Sequence, residues 1–220
     1  MPDVADVLGR LRGLADPSRL PGMARYGIGN GSALGVTVAE LRALAKELGR
    51  SHDLAAGLWA SGIHEARILA SMVEEPRRVS GRQLDDWATR FASWDLCDQV
   101  CQNLVRHTPF AWTKALEWSG RPEPFVKRAG FAVMAGLAVA DKTSGDDRFE
   151  PLLRAVAERA DDEHAVVRKG ASWALRQIGK RSSGLHARAV ETAQELRSGG
   201  RGARWVGTEA LRELDRRTPR

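Results

Sequence analysis

Apolar residues recur every three or four positions along most of the chain, in segments interrupted by glycine, proline, aspartate or asparagine. A period of 3.6 gathers apolar side chains on one face of a helix. It predicts helices over about residues 3–15, 37–49, 51–60, 63–73, 80–91, 93–106, 109–118, 123–140, 149–160, 163–180, 185–197 and 202–216. Asp3, Thr37, Asp161 and Ser182 or Ser183 stand where a side-chain oxygen can cap the open N–H groups of a first turn. Pro109, Pro124 and Pro151 suit first turns, where the N–H that proline lacks would have no partner anyway. Alanine and leucine number 55 against 28 for isoleucine, valine and threonine. That balance favours helix over sheet, because branching at Cβ costs rotamer freedom in a helix.

A longer period overlies the helical one. Val126-Lys127-Arg128-Ala129 aligns with Val167-Arg168-Lys169-Gly170 at an offset of 41, and Ala174-Leu175-Arg176 recurs as Ala210-Leu211-Arg212 at an offset of 36. A unit of about 40 residues is the length of a HEAT or armadillo helix pair. The expected fold is therefore all-α: a superhelical solenoid of HEAT-like antiparallel helix pairs, forming a single domain over residues 1–220 with a concave basic face. The most apolar run, Ala129 to Ala140, is twelve residues, against the roughly 20 a membrane span needs. With no apolar leader in the first residues and only two cysteines, four apart, the reading is a cytoplasmic protein with reduced thiols.

Charge sharpens the picture. Residues 1–150 hold 19 Lys and Arg against 19 Asp and Glu, whereas residues 151–220 hold 15 against 9, so the net charge of +6 comes from the last third. A local surplus of cations is what a sequence-independent grip on phosphates requires, and a solvated basic surface is the alternative. Within that third, Lys169, Trp173, Arg176 and Lys180 are spaced four, three and four apart and form one stripe. A tryptophan between cations serves base or sugar contact beside a phosphate grip; the other reading is an aromatic covering Lys and Arg stems. Arg128 has apolar helical neighbours, Pro124, Phe125, Phe131 and Ala132, so its guanidinium needs either an internal carboxylate or a phosphate. Trp94 and Asp98 share a helical face, with Arg90 one turn earlier. A carboxylate beside an indole can stabilise developing positive charge, although capping, salt-bridging and core packing compete with that reading. The cysteines Cys97 and Cys101 lack further ligands for a metal, the histidines are scattered, and Gly27, Gly29 and Gly31 read as an interhelix loop rather than a phosphate loop.

Taken in order, MARYGI…LGV, SWDLCDQVCQNL, EPFVKRAGFAVMAGLAV, VVRKGASWALRQIGKR and ARWVGTEALREL resemble the AlkD-like DNA alkylation repair glycosylases, from about Met23 to Leu214. The resemblance implies a monofunctional glycosylase that excises cationic N-alkylated purines from duplex DNA in base excision repair, without flipping the base. It implies Asp98 as the functional carboxylate, Trp94 and Trp173 as sugar contacts, and Arg128 as a backbone contact; the stripe of Lys169, Arg176 and Lys180 would then hold phosphates. The Tyr of the early motif falls on Tyr26. Ser93 departs from members with a second Trp there. The resemblance implies no metal or cofactor, double-stranded DNA with alkylated bases as the partner, and action as a monomer. Two other functions fit the residues: a non-catalytic HEAT-repeat module binding distorted or branched DNA, and a protein-binding scaffold.

Overall fold

A computed structural model describes residues 3–29 and 31–216, all of whose regular structure is helical. The chain divides into two compact units, residues 1–109 and 110–220.

Among the described residues of the first unit, seven α-helices follow in order: α1 (Val4–Gly13), α2 (Leu20–Arg25), α3 (Val38–Leu48), α4 (His52–Ala60), α5 (His64–Val73), α6 (Gly81–Ala88) and α7 (Trp94–Asn103). Helix α5 is central, packing against α3, α4 and α7. Its sequence explains why: Ala66, Ile68, Leu69, Ala70 and Val73 leave almost no surface open, and small residues on two sides let neighbours approach. Asp3 and Thr37 cap as expected, each in a reciprocal box with Asp6 or Glu40. Helix α2 was not expected from the periodicity. Its six residues are too few to show an apolar stripe, and Pro21 sits in its first turn.

The second unit holds α8 (Ala111–Ser119), α9 (Pro124–Ala140), α10 (Glu150–Arg159), α11 (Ala165–Gly179), α12 (Ser183–Arg197) and α13 (Arg201–Leu214). These form three HEAT-like pairs. The first helices of the pairs, α8, α10 and α12, pack in one row, and the second helices, α9, α11 and α13, pack in another. The offset of 41 is visible in the packing, since Val126 and Val167 fill corresponding buried positions on α9 and α11. Helix α9 is buried from Ala129 to Ala138, so its long uncharged run is core and not a span. No helix among the described residues is long and apolar enough to cross a membrane.

Ser182 caps α12 by accepting from Leu185 N at 3.1 Å. Asp161 does not cap α11, which starts at Ala165. Its Oδ1 instead accepts from Gly202 N at 2.9 Å and Ala203 N at 3.2 Å, capping α13 some forty residues later. Pro109 stands just before α8, outside its first turn, while Pro124 and Pro151 hold first-turn positions.

Candidate functional site

In the first unit, Trp94 is the first residue of α7 and Asp98 lies one turn on, so the two share a face as their spacing requires. Arg90 does not extend that face; it sits in the turn after α6, before α7 begins. The indole Nε1 of Trp94 donates to the backbone oxygen of Tyr26 at 3.0 Å, while 37% of the residue stays open to solvent. Asp98 is half-buried. This combination tethers the indole at one edge and leaves part of it available for contact. Tyr26 is the C-cap of α2, with its side chain 73% exposed.

The loop behind Tyr26 is built for this approach. Gly29 has φ +92°, and a Cβ there would lie 2.6 Å from the Ala33 Cβ, so only glycine fits. The loop's exit is held by Glu65, nearly fully buried, which accepts from Leu34 N and Gly35 N at 2.8 Å each. The preceding residue, His64, is also buried. Its backbone N donates to Ser32 O at 3.3 Å, and its Nε2 lies 2.8 Å from Oδ2 of Asp95. Two adjacent residues at the start of α5 therefore anchor both the loop and the first turn of α7. Burial works to raise the Asp95 carboxyl, but the hydrogen bond and charge of His64, with Ser93 and the Leu96 N–H, together outweigh it and hold it below the ordinary aspartate value. This pair has no local signature, because its members are 31 residues apart and the histidines show no motif. Cys97 and Cys101 are buried in α7.

In the second unit, the expected residues lie on α9 and α11. Arg128 is buried, and its Nη1 donates to the backbone oxygen of Val166 at 2.7 Å, linking α9 to the first turn of α11. The expectation weighed a carboxylate against a phosphate for this guanidinium; a main-chain carbonyl takes one of its donors. Gly170 lets the arginine pass, since a Cβ there would stand 3.3 Å from Cγ of Arg128. Lys169 is exposed and Trp173 half-buried. Arg176 and Lys180 do not stand open beside Trp173: both pair with one carboxylate, Glu213 on α13, with Arg176 Nε 2.9 Å from Oε2 and Lys180 Nζ on Oε1. Before the other end of α11, Lys127 pairs with Asp162 at 2.7 Å. Arg188 and Arg212 also have carboxylate partners, so part of the cationic surplus of the last third is neutralised internally.

The sequence pattern of the family described as DNA alkylation repair enzyme matches residues 7–214. The chain belongs to the DNA alkylation repair enzyme family. That match spans Tyr26, Trp94 and Asp98 in the first unit and Arg128 and Trp173 in the second. A solved structure, described as "A new family of proteins related to the HEAT-like repeat DNA glycosylases with affinity for branched DNA structures", superposes with a TM-score of 0.82 over 98% of this chain and 95% of that one, at 20% identity. At that identity the likeness speaks for a shared HEAT-like fold. A search of curated proteins finds no match.

Proposed function

We propose that this member of the DNA alkylation repair enzyme family is a glycosylase for cationic N-alkylated purines of the 3-methyladenine and 7-methylguanine type in duplex DNA. The observation that carries the reading is the pairing of Trp94 and Asp98 on one face of α7, the indole fixed by Tyr26 O and still partly open. A purine alkylated at N3 or N7 already carries positive charge. When its bond to C1′ breaks, the electron pair goes to the ring nitrogen and the base leaves neutral, without a general acid. The deoxyribose is left oxocarbenium-like, as in glycoside hydrolysis. Water then adds its oxygen to C1′ and releases a proton.

In this reading the Asp98 carboxylate stabilises the sugar cation and orients the water, and the indole faces of Trp94 and Trp173 contact the sugar. Lys169, Arg176 and Lys180 hold phosphates, Tyr26 borders the DNA, and Arg128 contacts the backbone. The chemistry calls for no metal or cofactor, the base stays in the stack, and one chain suffices as a single cytoplasmic repeat domain. The test is release of free bases from N-methylated duplex DNA by the purified chain. Release above background supports the reading; tight binding without release overturns it.

A second reading is favoured by the relative described as having affinity for branched DNA structures. Under it the chain binds distorted or branched DNA without excision. Preference for a four-way junction over duplex, with no base released, is its expected outcome.

A further inference from the structure

Two cations on one helix share a single carboxylate from the next. Arg176 and Lys180 stand one turn apart at the end of α11, and both reach Glu213 on α13. Oε2 of Glu213 faces Arg176 and Oε1 faces Lys180. An O–C–O carboxylate and the O–P–O of a phosphodiester present the same pair of anionic oxygens, and a guanidinium matches either. The group is not sealed in the core: the three side chains are 21%, 23% and 36% exposed. Arg176 and Glu213 line an open depression with Arg212, Arg216 and Glu209, in which Arg212 is held by Glu209 at 2.8 Å. Among the described residues, these and the adjoining Lys180 make four cations to two carboxylates, a surplus that favours a further anion. Cations at the ends of α11 and α13 also offset the helix dipoles. That explains their presence, but not the sharing of one carboxylate from a neighbouring helix.

We infer that Arg176 and Lys180 form a phosphodiester-binding site that Glu213 occupies as an internal stand-in, so that a DNA phosphate binds by exchange with that carboxylate. The inference rests on the DNA-binding reading above and adds to it a residue that holds affinity down. A partly open ion pair of this kind is screened by solvent, so giving up the carboxylate for a phosphate costs little. Its salt dependence is distinctive. In the native chain a phosphate displaces an internal anion and releases few ions from solution. With Glu213 neutralised, the site's cations neutralise about one phosphate more and release its condensed counterion from the DNA, so the slope of log affinity against log salt steepens by about one.

The experiment compares the native chain with E213Q in fluorescence-anisotropy titrations of a labelled duplex over a range of salt. E191Q on α12 makes the same charge change beside Arg188, away from this pair. The expected result is roughly three- to tenfold tighter binding by E213Q near physiological salt, with the steeper slope. E191Q should change affinity by less than about twofold, and E213Q should give no gain in a chain also carrying R176A and K180A. Equal gains in E191Q and E213Q, or E213Q binding like the native chain, overturn the inference while leaving DNA binding intact. Binding by none of the proteins overturns both it and the reading beneath it. A thermal melt of E213Q within about 2 °C of native confirms that the comparison is between folded proteins.

Discussion

Changing Gly130 to alanine adds one methyl group to α9, at the point where it crosses the end of α8. A Cβ there would lie 2.7 Å from the Ser119 Cα and 2.8 Å from the Ala115 oxygen, and closer still to the Ser119 nitrogen. All three are backbone atoms, so no side chain can rotate away and the two helices must separate. Alanine in a helix interior is worth about 1 kcal/mol over glycine. Overpacking costs about 1–3 kcal/mol, and a clash with backbone belongs at the upper end. The net expectation is a loss of about 2 kcal/mol, or about 4–8 °C in melting temperature for a chain of this size. Gly9 is the control: it lies in α1, and a Cβ there meets nothing within 4 Å. The same substitution should therefore stabilise by about 0.5–1 kcal/mol. Melting both variants beside the native protein by circular dichroism decides the matter. If G130A melts at or above the native temperature, the close approach of α8 and α9 is not as described, and the reasoning fails.

Other substitutions probe the site. Trp94→Phe keeps a ring but loses the bond to Tyr26 O, worth about 1 kcal/mol; excision should fall roughly three- to tenfold, with the urea midpoint little moved. Unchanged excision would show that the tether does not position the indole. Arg128→Ala removes the link from α9 to Val166 O and empties a buried position, and should cost about 1–3 kcal/mol by urea titration. A change below about 0.5 kcal/mol would mean that the link contributes little. The Asp95 carboxyl titrates below its usual value, so its contribution is present above pH 3.8 and is lost as pH falls further. The stability gap between native and D95N should accordingly narrow below that pH, and a gap that widened would have the sign wrong.

Much of the fold could be read from local pattern. Twelve helices announced themselves by a 3.6 period sustained over eight or more residues, and the repeat placed Val126 and Val167 in like positions before any packing was known. What escaped was short or distant. Helix α2 is too brief to carry a stripe, and Asp161 caps a helix that its sequence neighbourhood does not contain. The Trp94–Asp98 face followed from a spacing of four. The partners of the cations did not, because Glu213 reaches Arg176 and Lys180 across a helix–helix contact that no local rule encodes. Arg128 is similar: its apolar neighbours showed that it needed a partner, but not that the partner would be a carbonyl of the next repeat.

The role given to Asp98 is the centre of the account, and Asp98→Asn tests it with almost no change of shape. The measurement is release of 7-methylguanine from methylated duplex DNA under single-turnover conditions, with binding of the same duplex followed in parallel. The expected result is binding within about threefold of native and excision reduced by at least about a hundredfold, comparable with loss of other charge-stabilising groups. Excision by D98N at the native rate would contradict the assignment of Asp98 as the carboxylate that stabilises the departing sugar.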